Sequence, residues 1–213
     1  MQRREFSRSL LLSGTAAATG VLSLTPALAQ RIAFKEGSEY TRLAKPAAIV
    51  TPPGKVEVVE FFSYSCIHCF RFEPLMAEWI KKLPADVVLR RMPVAFSPAF
   101  GPMQRFYFSL ESMGLVDKLH EKVFKAFHEE RQQLTSPETI VAWVEKQGVD
   151  RAQFLSFFNG SSVDKAKAAT QLQDAYQVEG TPAMGVAGQF YIPGQGPKTL
   201  LIADSLIAQA RKG

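Results

Sequence analysis

The chain has 213 residues, 46% hydrophobic and 21% charged, with only two cysteines. That length fits one domain, or one domain with an insertion, able to bury most of its apolar surface without disulfide staples. The formal net charge of +5 falls to +3 without residues 1–29, which hold three arginines and one glutamate, so neither nucleic acid nor an anionic membrane is expected as a partner.

The N-terminal stretch reads as a targeting segment. Arg3, Arg4 and Arg8 make a basic start, an alanine-rich apolar run extends from Leu10 to about Leu24, and Ala27-Leu28-Ala29 has the small-x-small form cut by a signal peptidase. Residues 1–29 are therefore expected to be a cleaved signal peptide, with 30–213 the exported domain. Arg3-Arg4-x-Phe6 partly matches a twin-arginine signal, while Gln2 and Ser7 depart from the fuller pattern and leave the Sec route open. The competing reading is an uncleaved anchor. Ser13, Gly14, Thr15, Thr19, Gly20 and Ser23 weaken it, because a spanning helix wants ~20 strongly apolar residues.

No internal repeat or low-complexity tract follows. Gln30 to Pro53 reads as an extended segment with Tyr40 and Leu43 as anchors, closed by Pro52-Pro53. Lys55 to Phe62 begins in alternation and ends apolar, the pattern of a buried strand. Ser63-Tyr64-Ser65 is a short turn, with Ser65 placed to cap a helix from Cys66 to about Leu83. Phe70, Met76, Trp79 and Ile80 mark that helix, and Pro74 inside it predicts a kink. Asp86 to Phe96 reads as a second strand. A helical block from about Pro102 to Tyr176 is broken at Gly114, around 134–137, at Gly148 and at Asn159-Gly160, with Ser136-Pro137-Glu138 a strong start signal for one helix. Ala183 to Ile192 reads as a hairpin turning near Ala187-Gly188. Gly188 suits the second position of a type II turn, whereas Ala187 suits no turn that needs positive φ at its first position. Leu200 to Arg211 reads as the last helix. With the helical block removed, a β-α-β plus β-β-α core remains: an α/β fold on a small sheet with an inserted helical domain.

Cys66-Ile67-His68-Cys69 lies between an apolar strand and the start of a helix. A thiolate is the nucleophile of disulfide exchange, and a free thiol titrates near ~8.5. At a helix N-terminus Cys66 meets the positive end of the helix dipole and unpaired amides, and His68 adds a positive charge or a hydrogen bond. Cys69, one turn on, can close and open a disulfide with Cys66. Three other readings compete. A structural disulfide closing so short a loop stabilises little. A zinc site needs about four ligands, and the remaining histidines, His120 and His128, lie far away in sequence. Buried inert thiols would not need a strand–helix junction.

Two further features accompany the pair. Gly180-Thr181-Pro182 before the hairpin suits a cis X-Pro turn, which beside the cysteines would offer the Thr181 backbone to an extended substrate; the alternative is a trans-proline that merely starts a strand. Glu60 stands in the apolar end of the first strand, six residues before Cys66. Buried, it would hold its proton more tightly and could move protons for Cys69; the alternative is an acid on the sheet's exposed edge. Arg71 and Glu73 are expected to face solvent, and Arg91 is a candidate partner for either acid.

The segment from Glu60 to Glu73, read with its cysteines, resembles the active-site segment of the DsbA family of periplasmic thiol:disulfide interchange proteins. Tyr40-Thr41-Arg42-Leu43, Leu83-Pro84 and Gly180-Thr181-Pro182-Ala183-Met184 are similar to further family segments, so the resemblance spans nearly all of residues 30–213. It implies a thioredoxin fold with an inserted helical domain; no cofactor or metal is expected. It implies that Cys66 attacks, Cys69 resolves, His68 stabilises the thiolate, Glu60 relays protons and Thr181-Pro182 bind substrate. The implied partners are reduced, unfolded exported proteins and a quinone-linked membrane protein of the DsbB kind that restores the disulfide. Ile67 stands where the best-known family pattern has proline, and Thr181 where valine is common; both positions tune the potential. A monomeric disulfide donor in the periplasm is expected. An isomerase or reductase would rest in the reduced state, and a non-catalytic periplasmic chaperone would work without its cysteines.

Overall fold

The computed structural model describes residues 34–212, so the expected leader lies outside the described residues. In chain order the elements are β1 (Thr41–Arg42), β2 (Val56–Phe62), α1 (Ile67–Ile80), β3 (Val87–Pro93), α2 (Gly101–Ser112), α3 (Val116–His128), α4 (Pro137–Lys146), α5 (Arg151–Asn159), α6 (Ser161–Ala175), β4 (Ala183–Val186), β5 (Phe190–Pro193) and α7 (Pro197–Ala210). The strands form one sheet in the order β1-β5-β4-β2-β3. β2 and β3 run parallel, joined through α1, while β2–β4, β4–β5 and β1–β5 are antiparallel. The five helices α2–α6 lie between β3 and β4 in the chain, as the sequence predicts for its helical block.

Every residue of β2 is buried, including Glu57 and Glu60. Period-two alternation sends Val56, Val58 and Glu60 to one face and Glu57, Val59 and Phe61 to the other. On the first face, Val58 packs with Met76 and Trp79 of α1, Met184 and Ile192 of the hairpin, and Leu206 of α7. Trp79 Nε1 donates to Asp204 at 2.8 Å, tying α1 to α7. On the second face Tyr176, just past α6, sets its ring edge-on to Phe61 at 5.2 Å. A Cβ at Gly185 would overlap that ring, so only glycine fits there. The helical core of Phe106, Leu119, Phe124, Ile140 and Phe154 continues from this second face.

Local signals were mostly sufficient. Ser136 accepts from the Thr139 amide at 3.3 Å and Pro137 opens α4, the capping arrangement expected there. Gly114 and Gly148, with φ of 67° and 78°, end helices as the sequence predicts. α1 continues through Pro74, although proline removes the donor to the preceding turn at about 3 kcal/mol or more; burial of Phe72, Met76 and Trp79 offsets that loss.

Two local expectations are corrected. Ser65 does not cap α1: Cys66 is the N-cap, in extended conformation and with no side-chain cap bond, while Ser65 Oγ faces Ser63 Oγ at 3.0 Å. The hairpin is not a type II turn, since Ala187 (φ 53°) and Gly188 (φ 67°) both lie in the left-handed region. Primed turns match the twist of paired strands, and neighbours hold this one in place. The Ala187 amide donates to the Glu57 carbonyl at 2.8 Å and the Gly188 amide to Tyr176 Oη at 3.1 Å, overriding alanine's preference.

Candidate active site

β2 ends at Phe62, and the loop Ser63-Tyr64-Ser65 turns the chain into α1, closed by the Cys66 amide donating to the Ser63 carbonyl at 3.1 Å. Both cysteines are free thiols, Cys66 partly exposed at the helix tip and Cys69 buried. Their environments drive them apart. A hydrogen bond from the Cys69 thiol, helped by the Thr181 side chain and by the backbone amides of Cys69 and His68, outweighs burial and lowers Cys66 from 9.0 to about 5. Burial, reinforced by the hydrogen bond and charge of Cys66, pushes Cys69 far above the ordinary thiol range. At neutral pH one sulfur is a thiolate and the other a thiol.

The Thr181–Pro182 peptide is cis. Its loop reaches the cysteines across the molecule, with Cys66 Sγ 3.4 Å from the Thr181 carbonyl. Beside the pair runs a groove of ≈ 760 Å³ lined by His68, Arg71, Phe72 and Leu75 on one side and by Thr181, Pro182, Tyr191 and Pro193 on the other. The His68 imidazole is exposed in this groove, and the help it gives Cys66 comes through its backbone amide. Ile67 is 38% exposed at the same tip. A cavity of ≈ 690 Å³ lined mainly by β3, α2 and α6 residues includes neither His68 of the motif nor Thr181-Pro182, whereas the groove is lined by both. Among the described residues no group of three or more His, Cys, Asp or Glu is placed to hold a metal ion.

Beneath α1 lies a charged cluster. Glu60 is buried, and its carboxylate accepts from Arg91 Nε at 2.9 Å. Arg91 Nη2 donates to Glu73 Oε1 at 2.6 Å, so one guanidinium serves both acids. Glu73 is only 8% exposed, which corrects the expectation that it faces solvent; Arg71 is exposed as predicted. Glu73 repeats the spacing of Cys69, Phe72 and Met76 along the buried face of α1, a signal outweighed in the sequence by its charge. Burial raises Glu60, against the opposing pull of Arg91, and burial raises Glu73 to about 7.

The inserted helices contribute two histidines that sequence reading considered only as metal ligands. His120 Nδ1 lies 2.9 Å from Tyr64 Oη, and its Nε2 is 3.4 Å from Glu73 Oε2. His128 donates from Nε2 to the Tyr64 carbonyl at 2.9 Å and stacks on Phe70, ring centroids 5.1 Å apart. Tyr64, two residues before Cys66, is thus held at both ends from α3.

Comparison with known proteins places this arrangement. Thiol:disulfide interchange protein DsbA of Bordetella parapertussis is 38% identical over 218 residues, covering all of both chains. This chain belongs to the DsbA family. The family description DSBA-like thioredoxin domain matches residues 91–203, which lie wholly after the cysteine motif. DsbA of Pseudomonas aeruginosa is 37% identical over 96% of this chain and 97% of its own. Its crystal structure superposes with a TM-score of 0.79, covering 84% of this chain and 95% of that one. The oxidoreductase NmDsbA1 of N. meningitidis shares the fold at 27% identity with a TM-score of 0.74. As a DsbA-family member, the protein has a thioredoxin fold with inserted helices and is a thiol:disulfide oxidoreductase.

Proposed function

We propose that the protein works as a disulfide donor to exported proteins, with Cys66 as the attacked sulfur and Cys69 as its resolving partner. The observation that carries this reading is the split between the two thiols, Cys66 lowered to about 5 beside a strongly raised Cys69. Stabilising one thiolate stabilises the reduced protein, and each pKa unit is about 1.4 kcal/mol, roughly 30 mV in a two-electron couple. A disulfide whose reduced product is so stabilised gives up its oxidising equivalents readily.

In this reading a substrate thiolate attacks Cys66 Sγ of the Cys66–Cys69 bond. Cys69 leaves as thiolate and takes a proton, and a mixed disulfide joins Cys66 to the substrate. A second substrate thiolate attacks the substrate sulfur, forms the product disulfide and releases Cys66 as thiolate. Thr181 and Pro182 hold the substrate chain in the groove, His68 supports the Cys66 thiolate, and Glu60 is the buried acid that exchanges protons with Cys69. Reduced, unfolded exported proteins are the substrates. A quinone-linked membrane partner of the DsbB kind restores the disulfide. Residues 1–29 are the signal peptide, the protein acts in the periplasm as a monomer, and it uses no cofactor or metal.

The test is to mix oxidised protein with a reduced, unfolded substrate and follow loss of free thiols. Stoichiometric transfer faster than the uncatalysed control supports the reading. No acceleration, or transfer that survives Cys66→Ser, overturns it.

A further inference from the structure

The hydrogen bond from the Cys66 amide to the Ser63 carbonyl closes a four-residue turn with Tyr64 and Ser65 at its centre. Neither central residue has a positive φ, so the turn is of the type I kind. In a type II turn the peptide between the two central residues is rotated by about half a turn, and that peptide carries the Tyr64 carbonyl. Here its orientation is fixed from outside. His128, in the last turn of α3, donates from Nε2 to this carbonyl at 2.9 Å.

The same imidazole grips the other side of the cysteine pair. Phe70, next to Cys69, lies along the His128 ring, with centroids 5.1 Å apart and planes 19° apart. Phe124 supports both rings, 6.4 Å from His128 and 6.3 Å from Phe70. The Phe70 amide donates to the Cys66 carbonyl at 3.1 Å, closing the first turn of α1. One side chain of the inserted helices therefore touches the residue two before Cys66 and the residue just after Cys69. The Tyr64 ring has its own anchors, its hydroxyl 2.9 Å from His120 Nδ1 and its ring edge-on to Phe124 at 5.1 Å. What His128 adds is control of the Tyr64 peptide.

Cys66 depends on that control. It opens α1 as the N-cap residue in extended conformation, so the turn before it sets where its side chain starts. In the oxidised protein the Cys66–Cys69 bond fixes the sulfur covalently. In the reduced protein the sulfur is held by weaker contacts, from the Cys69 thiol, the Thr181 side chain and the first-turn amides. We propose that His128 is a positioning residue for the redox reaction: it brackets the cysteine pair at Tyr64 and Phe70, holds Cys66 where its thiolate is stabilised, and matters more to the reduced protein than to the oxidised one. The proposal rests on the redox reading of Cys66 and Cys69 and adds a control exerted from the inserted helices. A contact that favours the reduced form makes the disulfide a stronger oxidant.

The experiment equilibrates the whole protein with glutathione, so that the reduced dithiol and one oxidised glutathione become the protein disulfide and two glutathione thiols. His128→Phe keeps a ring beside Phe70 and removes the donor. It shifts the equilibrium about fivefold toward the protein disulfide, the worth of one ordinary hydrogen bond, and moves the Cys66 alkylation midpoint upward by less than about one pH unit. His128→Gln is uncharged and carries an amide nitrogen the same number of bonds from Cβ as Nε2, and it restores most of the loss. Thermal melts separate positioning from packing, since His128→Phe weakens the reduced protein more than the oxidised one. The proposal is overturned if His128→Phe leaves the equilibrium in place or if both redox forms lose stability equally. It is also overturned if His128→Gln fails to restore the equilibrium, which would assign the effect to the ring and not to its hydrogen bond. An unsubstituted protein that forms no disulfide with glutathione would instead sink the redox reading beneath it.

Discussion

The tip of α1 and its buried face solve opposite problems with the same helix. At the tip, Cys66 is partly exposed and its charge is supported locally, by Cys69, the Thr181 side chain and first-turn amides. On the buried face, Glu73 meets Arg91 of β3 and His120 of α3, and burial drives Glu73 and Cys69 alike toward their neutral forms. The tip stores charge and the buried face stores protons. A thiol–disulfide reaction needs both, because one sulfur must leave as an anion while the other is protonated.

Removing one sulfur from each side separates their roles most sharply. Cys66→Ser is expected to reduce disulfide transfer to the uncatalysed rate. Cys69→Ser keeps an attacking thiolate and accumulates a mixed disulfide on Cys66, visible as an added mass that reductant removes. Equal behaviour of the two variants would erase the distinction.

The second effect strikes the buried face alone. Arg91→Met strands two buried carboxyls and is expected to destabilise the protein by about 3–5 kcal/mol at neutral pH. The loss shrinks as pH falls and the carboxyls take up protons. Urea melts at pH 5 and pH 8 check both the size and the direction.

The third compares pH slopes. Cys66 is lowered from 9.0 to about 5, so its contribution to the reduced protein is fully present above about pH 9 and is lost as pH falls through 5. Glu73 is raised from 4.5 to about 7, so its contribution is fully present below about pH 4.5 and is lost as pH rises through 7. Reduced protein therefore gains stability over oxidised protein between pH 5 and 9. In the oxidised state, Glu73→Gln removes a downward slope between pH 4.5 and 7. Thermal melts of both redox forms across this range test the opposition.

The smallest effect belongs to Thr181→Val, which deletes the hydroxyl beside Cys66. The thiolate midpoint is expected to move upward by less than about one pH unit, because Cys69 and the backbone amides remain. Alkylation of the reduced variant measures it.

What the sequence made legible follows the same division. The strand, the Cys66–Cys69 spacing and the Thr181-Pro182 turn are local patterns with local causes, and each falls where the sequence predicts. The buried face depends on contacts between distant segments. Glu73 and His128 are 55 positions apart, yet both are tied to the Tyr64 loop or its neighbours, Glu73 through His120 and His128 directly. Charge alone sent Glu73 to the surface, although its spacing from Cys69 and Phe72 marks the buried face. His120 likewise sits among Leu119, Val123 and Phe124 on the apolar side of α3, a position that called for a buried partner. The hairpin turn shows the same limit, because Ala187 is held by Glu57 on β2 and not by its own preference.

The central claim is that the fold makes Cys66 a thiolate at neutral pH. The direct measurement is the rate of Cys66 alkylation in reduced protein as a function of pH. The structure predicts a midpoint at about 5, with the rate already at its plateau by neutral pH. A midpoint near ~8.5, that of a free thiol, would contradict it.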